Sequence, residues 1–91
     1  MKDEIFKALA DPVRRKILEL LGEGDMAAGD ISSHFNITKP SVSRHLAVLK
    51  ASGLVSAKKS GQKIIYSLET AAVRDIMRWL YNSFGNVWIK R

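Results

Sequence analysis

A chain of 91 residues has room for one hydrophobic core, so we expect a single domain spanning residues 1–91. The composition, 46% hydrophobic and 26% charged, is that of a globular protein, and the absence of cysteine excludes thiolate nucleophiles, iron–sulfur clusters and cysteine-ligated zinc. No apolar run approaches the roughly 18 residues of a membrane span, and the N-terminus has no apolar signal core, which predicts a cytoplasmic protein.

The net charge of +6 is concentrated in the middle of the chain. No acidic residue lies between Asp30 and Glu69. The basic residues in that segment are Lys39, Arg44, Lys50, Lys58, Lys59 and Lys63. The remaining nine basic residues are balanced by nine acidic ones, so this segment carries the whole net charge. Such an asymmetry is typical of a surface that binds a polyanion such as nucleic acid.

Two short helices are predicted at the N-terminal end. Residues 2–10 carry apolar side chains at helical spacing, namely Ile5, Phe6 and Leu9. Asp11 and Pro12 then end this helix and begin a second one, which has Asp11 as its N-cap and continues to Gly22. The basic run 14–16 has acidic neighbours, which predicts a solvated face of the second helix.

A third and a fourth helix follow, with a tight turn between them. The third helix is predicted over residues 28–35, although Ala27 stands where a side-chain N-cap is expected. Thr38 is the predicted N-cap of the fourth helix, which runs to about Ser52 and is stopped by Gly53. The apolar stripe of the fourth helix is Val42, Leu46 and Leu49. At about 100° per residue, this stripe leaves an outer face formed by Pro40, Arg44 and Ala47.

A hairpin and a last helix complete the chain. Residues 54–59 and 62–68 are enriched in β-branched or aromatic residues, and Ser60-Gly61 is the predicted turn between two strands. From Thr70 onward, apolar residues recur at helical spacing until Gly85 and Asn86, which are expected to end the helix. The tail 87–91 carries no prediction.

This order of elements predicts a winged helix-turn-helix. Two short helices are joined by a three-residue turn and followed by a basic hairpin, so the fold class is mainly α with a β-hairpin wing, α-α-α-α-β-β-α. In this fold the fourth helix enters the major groove of duplex DNA and the wing contacts the backbone or the minor groove. The predicted DNA-contacting residues are Thr38, Lys39, Pro40, Ser41, Ser43, Arg44 and His45 on the helix and Lys58, Lys59, Gln62 and Lys63 on the wing. Arg44 is the candidate for reading a base, because a guanidinium can donate two hydrogen bonds to guanine.

Several of these residues have a second interpretation. Thr38 could be only a cap, and the wing lysines could serve solubility alone. His45 could contact a phosphate or pack against the third helix. His34 has no second histidine or carboxylate at metal-ligand spacing, so no metal and no other cofactor is predicted.

The terminal helices carry more apolar surface than a small core requires, which predicts a homodimer. The residues expected at its interface are Ile5, Phe6, Leu9, Val73, Ile76, Met77, Leu80 and Phe84. A two-fold dimer places its recognition helices about one DNA turn, roughly 34 Å, apart and therefore binds a pseudo-palindromic operator.

Three segments resemble the ArsR family of winged-helix repressors and, within it, the metal-independent SdpR-like autorepressors. They are residues 8–18 (ALADPVRRKIL), 39–46 (KPSVSRHL) and 49–55 (LKASGLV), and the hairpin 58–68 also matches. The resemblance implies a homodimer built on the terminal helices and repression by occupancy of an operator. It further implies control of the protein's own operon and release by a neighbouring membrane protein that sequesters the repressor.

Many members of that family sense metals through residues that this chain lacks. In those members the ligands are cysteines on the helix before the recognition helix, or histidine and aspartate on the last helix. Here the third helix has no cysteine, and the last helix has Asp75 but no histidine. The resemblance therefore implies a metal-independent repressor.

Two other functions are less well supported by the sequence. A winged-helix module that binds protein without specific DNA binding is the main alternative, but it would not need an uninterrupted positive segment on its fourth helix and wing. An enzyme is not predicted, because His34 and His45 have no visible nucleophile partner and the chain has no phosphate-binding loop.

Overall fold

The computed structural model describes residues 3–89. Over this range the chain forms five helices, which are α1 (Asp3–Leu9), α2 (Pro12–Gly22), α3 (Ala28–Ser32), α4 (Lys39–Ala51) and α5 (Thr70–Ile89). The strands are β1 (Met26–Ala27), β2 (Val55–Ser60) and β3 (Lys63–Leu68). Lys2, where the first helix is predicted to begin, and Lys90 and Arg91 of the tail lie outside the described residues.

The core forms where α1 to α4 meet the base of the hairpin. Ile17, Ile31, Leu49 and Leu54 are completely inaccessible to solvent, and they come from three helices and the segment that enters β2. The predicted inner face of α4, which is Val42, Leu46 and Leu49, is buried throughout. Each such side chain stabilises the fold by roughly 1.5–3 kcal/mol relative to full exposure, so this face fixes α4 against the body of the protein.

The two predicted N-caps are confirmed. Asp11 Oδ2 accepts a hydrogen bond of 3.1 Å from the backbone N–H of Arg14, and Thr38 Oγ1 accepts one of 3.2 Å from the backbone N–H of Ser41. Each bond satisfies a backbone donor that the first turn of a helix leaves free. At α3, Ala27 makes no side-chain capping bond, as its residue type requires.

The C-terminus of α4 has the hydrogen bonds of a Schellman motif. The N–H of Leu54 donates to the carbonyl of Leu49 and the N–H of Gly53 donates to that of Lys50, both at 3.1 Å. Gly53 has a φ of +84°, which side chains with a Cβ rarely adopt. Gly53 therefore ends the helix. Leu49 and Leu54, the first and last residues of the motif, are both buried.

The hairpin turns one residue later than the sequence predicts. Ser60 pairs with Lys63, so the two turn residues are Gly61 and Gln62 and the predicted Ser60-Gly61 turn is wrong. Gly61 has a φ of +62° at the first central position, where type II′ turns take glycine. The pairing of the two strands and the glycine at the first turn position therefore fix the register of the hairpin.

A third strand that the sequence analysis missed lies on the other side of β3. The sheet order is β1-β3-β2, and in β1 Met26 pairs with Tyr66 and Ala27 with Ile65. Two residues are too few to show the alternation by which a strand is recognised in a sequence. The strand anchors the start of α3 to the base of the wing.

Two helix boundaries differ from the predictions. The third helix ends at Ser32 and not at Phe35, because the N–H groups of His34 and Phe35 donate to carbonyls three residues back, which tightens the chain out of α-helical geometry. The last helix does not end at Gly85 but continues to Ile89. The helix is unbroken at Gly85. The ring of Tyr81, one turn earlier, packs over this glycine and lies about 3.5 Å from the position that a Cβ would occupy.

The prediction of a solvated face at residues 14–16 is confirmed for Arg15 and Lys16, which are exposed, but it is wrong for Arg14, which is half-buried. Arg14 donates from Nε to the carbonyl of Ala8 (2.8 Å) and from Nη2 to that of Lys7 (2.9 Å). Arg15 donates from Nη1 to the carbonyl of Leu9 (2.8 Å). These carbonyls end α1, so the two cations supply donors to the C-terminal end of the helix and complement its dipole.

Candidate nucleic-acid interface

The fourth helix presents its outer face to solvent. Pro40, Arg44 and Ala47 are exposed, as is Ser43 beside them, while Ser41 on the opposite flank is half-buried. Because the inner face is held in the core, the direction of this outer face is fixed relative to the rest of the chain. A rigid helix with small and basic side chains outward has the shape and chemistry that the major groove accepts.

The start of α4 combines a cap with an exposed cation. Thr38 holds the N–H of Ser41, which makes it a structural residue whether or not it also contacts a ligand. Lys39 is exposed in the first turn. The helix dipole favours a negatively charged partner at this end, and Lys39 adds to the same potential.

The wing distributes its lysines over both faces of the hairpin. Lys58 and Lys63 share one face, because Lys63 pairs with Ser60 and Ser60 lies two residues from Lys58. Lys59 lies on the other face, opposite Ile64. All three lysines and Gln62 at the turn are exposed, so cations flank the tip on both sides.

The positive charge of this region is not neutralised within the chain. Among residues 3–89, Arg78 forms an ion pair with Asp75, and Nδ1 of His45 lies 3.7 Å from Oδ2 of Asp11, which is an ion pair only when the histidine is protonated. Within that range, none of the six basic residues between Asp30 and Glu69 takes part in one. Their positive charge is therefore available to bind an anion from solution.

His45 is oriented by the start of α2. Its Nδ1 lies 3.2 Å from Nη1 of Arg14 and 3.7 Å from Oδ2 of Asp11. The sequence left open whether His45 contacts a phosphate or packs against α3. One edge of its ring does pack within the protein, but against the start of α2 and not against α3. Asp11 and Arg14 were recognised in the sequence as a cap and a surface cation. No local pattern could have linked them to a histidine more than 30 residues further along the chain.

The carboxyl group of Asp11 is held in its ionised form. Partial burial tends to raise its pKa, but the hydrogen bond from the Arg14 N–H and the neighbouring side chains of His45 and Arg14 lower the pKa below its ordinary value. An ionised Asp11 is the form that both caps α2 and attracts the two basic side chains.

The residues predicted at a dimer interface fall into two groups. Ile5 belongs to the buried core, and Leu9, Val73 and Ile76 are half-buried. Phe6, Met77, Leu80 and Phe84 are exposed, with Met77 the most exposed at 64%. On α5 all five predicted residues lie along one side of the helix, and Ile76, at the edge of that side, packs against the core.

Two further observations concern residues 3–89. No group of three or more histidine, cysteine, aspartate or glutamate side chains is arranged so that it could hold a metal ion in this range. In the same range, no helix combines the length and the apolar character needed to cross a membrane.

A capped recognition helix with an exposed outer face, preceded by a short helix and followed by a basic hairpin, defines the winged helix-turn-helix class of DNA-binding proteins. The model of the family described as "Bacterial regulatory protein, arsR family" matches residues 11–57, which include α2, the helix-turn-helix and the start of the wing. The chain belongs to the ArsR family, whose members are transcriptional regulators.

Individual relatives agree with this assignment. The chain is similar to the transcriptional repressor SdpR of Bacillus subtilis, with 52% identity over 80 residues, 88% of this chain and 89% of that protein. It is 41% identical over 64 residues to the arsenical resistance operon repressor of Staphylococcus xylosus, covering 70% of this chain and 62% of that protein. A crystal structure of an ArsR family transcriptional regulator superposes with a TM-score of 0.83 at 29% identity, over 98% of this chain and 91% of the other. These findings confirm the predicted family and fold class.

Proposed function

We propose that this chain is a single-domain transcriptional repressor that binds a pseudo-palindromic operator in duplex DNA as a homodimer. The observation that carries the proposal is the unneutralised positive charge on the exposed sides of α4 and the wing. A surface of this kind binds the phosphate backbone, and base contacts from the helix add sequence preference.

Within this proposal, the DNA-contacting residues have separate tasks. Arg44, at the centre of the outer face, reads a base, while Ser41 and Ser43 contact phosphate or base edges beside it. Lys39 and the wing residues hold the backbone. Lys58, Lys59 and Lys63 are the wing cations, and Gln62 lies at the tip between them.

The homodimer is proposed from the exposed apolar side of α5. Met77, Leu80 and Phe84 are half exposed or nearly so, and a second copy would remove that surface from water. A two-fold arrangement doubles the phosphate contacts and sets the spacing of the half-sites at about one turn of DNA.

The regulatory setting is proposed from the similarity to the SdpR-like repressors. We infer a cytoplasmic, non-enzymatic and metal-independent regulator that represses its own operon and is released when a membrane protein sequesters it. A reporter fused to the protein's own upstream region tests this setting. Deleting the repressor should raise expression, and adding metal salts should leave the repressed level unchanged.

Selection of random duplex DNA by the purified protein, followed by sequencing at low and at moderate salt, tests the main proposal. We expect enrichment of an inverted repeat with half-sites about one helical turn apart, and binding that weakens as salt rises. Weak, salt-sensitive retention without enrichment of any sequence would contradict it. That result would favour a winged-helix module that binds protein.

A further inference from the structure

The guanidinium of Arg14 is held on two sides before it reaches His45. Its Nε donates to the carbonyl of Ala8 and its Nη2 donates to the carbonyl of Lys7, at 2.8 and 2.9 Å. Because a guanidinium is planar, these two bonds fix the direction of the remaining N–H groups. The Nη1 atom lies 3.2 Å from Nδ1 of His45.

This contact determines which ring nitrogen of His45 carries the proton. Arginine has only donors and keeps its proton at any pH relevant to a protein. A hydrogen bond between Nη1 and Nδ1 therefore requires a lone pair on Nδ1. A neutral imidazole that accepts at Nδ1 has its single N–H at Nε2.

Asp11 is the competing partner, and it favours the opposite tautomer. A proton on Nδ1 would be drawn to Oδ2 of Asp11, but that oxygen is 3.7 Å away, beyond hydrogen-bonding distance. The same oxygen already accepts the N–H that caps α2. The geometry therefore favours Arg14 as the partner of Nδ1.

The other ring nitrogen is open to solvent. Within residues 3–89, Nε2 of His45 makes no hydrogen bond, and no buried side-chain nitrogen or oxygen lacks a partner. Nε2 is therefore accessible, in agreement with an 18% exposed side chain. His45 lies one turn after Ser41, on the flank of α4 between the outer face and the buried stripe.

We propose that Arg14 is a positioning residue for DNA binding, which holds the imidazole of His45 with its proton on Nε2 so that His45 donates this N–H to a phosphate. The proposal rests on the proposed function for its DNA contact. The DNA phosphate offers only acceptors, so a ring presenting an N–H binds and a ring presenting a lone pair does not. Arg14 thereby connects the end of α1 to the recognition helix.

The tautomer of His45 is measured first, without DNA. A long-range proton–nitrogen correlation spectrum of ¹⁵N-labelled protein near pH 8, where an ordinary histidine is neutral, distinguishes the two forms. A His34→Gln variant assigns the signals. We expect the Nε2–H form for His45, and a dominant Nδ1–H form or an equal mixture would overturn the proposal.

Arg15 provides the matched control for Arg14. Both arginines donate to carbonyls at the end of α1, but only Arg14 contacts His45. We expect Arg14→Gln to lose the Nε2–H preference and to weaken operator binding by roughly tenfold, as for one hydrogen bond to a charged group. Arg15→Gln should keep both the tautomer and the affinity. Equal losses in both variants would reduce Arg14 to a cap of α1.

Two substitutions of His45 test the donor itself and remain informative if Arg14→Gln fails to fold. The glutamine amide places its N–H₂ near the position of Nε2, whereas the shorter asparagine amide ends near Nδ1. We expect His45→Gln to bind the operator more tightly than His45→Asn. The reverse order would overturn the proposal. If no operator is found at all, the proposed function fails, while the tautomer measurement still decides whether Arg14 fixes the proton of His45 on Nε2.

Discussion

The rings of Phe6 and Trp79 meet edge to face, with centroids 5.3 Å apart and an interplanar angle of 69°. This pair joins α1 to α5, the two helices whose apolar surface the sequence analysis assigned to a dimer interface. Trp79 makes a second edge-to-face contact with Phe84, at 5.8 Å and 85°. Part of the apolar surface at the ends of the chain is therefore used within one protomer to dock α5.

Replacing Phe6 by alanine should destabilise the fold. The loss combines an aromatic pair, worth about 0.5–1.5 kcal/mol, with part of the apolar area of a ring that is 38% exposed, so we expect about 1–2 kcal/mol in total. Urea unfolding measures the change. Ile37→Ala is the control, because it removes a similarly exposed apolar side chain that lies outside both helices. An unchanged free energy of unfolding in Phe6→Ala would mean that the pair does not hold α1 and α5 together.

A charge placed on the exposed side of α5 should separate the proposed dimer. Met77→Glu introduces a carboxylate among apolar residues that would be buried between two copies, at a cost of several kcal/mol. Sedimentation velocity should then show a monomer. Asn82→Glu adds the same charge at an exposed position about 140° around the helix and should leave the dimer intact. A dimer that survives Met77→Glu would place the interface elsewhere.

Arg44 and Lys59 should affect DNA binding in different ways. Arg44→Ala should weaken binding to the selected operator by roughly 1–3 kcal/mol and relax discrimination between bases, because a base contact is lost. Lys59→Ala should weaken binding to all sequences about equally and lower the salt slope by roughly 1, because a phosphate contact is lost. Binding titrations at several salt concentrations measure both. Intact sequence preference in Arg44→Ala would refute its assignment as the base-reading residue.

The charge of Asp11 should make the stability of the protein depend on pH in the acid range. Its pKa is lowered in the folded state, so its ionised form contributes stability above the ordinary aspartate pKa of about 4, and this contribution is lost as pH falls through the lower folded value. Asp11→Asn keeps a capping oxygen but has no charge. The difference in unfolding free energy between the two proteins should be constant above about pH 5 and shrink below about pH 4. A difference that stays constant at lower pH would assign the effect to the cap alone.

The sequence predicted the elements that depend on local chemistry. The caps at Asp11 and Thr38, and the stop at Gly53, follow from side chains and backbone conformations within a few residues. The inner face of α4 follows from helical periodicity. The three family segments, together with the hairpin, were sufficient to predict the family that the comparisons confirm.

The errors arose where a contact made in the folded chain overrode the preference of a residue type. Gly85 would normally weaken a helix, but it lies beneath the ring of Tyr81 and the helix continues. The two-residue strand β1 exists because β3 offers it partners some 40 positions later. The basic run at 14–16 has the composition of a solvated face, yet Arg14 is half-buried and donates to carbonyls at the end of α1.

By itself, the sequence determined the class of protein, because helix periods, caps and the placement of charge are written in neighbouring residues. Only the tertiary structure decided how His45 is oriented, which apolar side chains at the chain ends are already covered, and which cations stay free of ion pairs. Each of these depends on distances between residues far apart in the chain, and such distances are set when the helices pack together and not by any local pattern of residues.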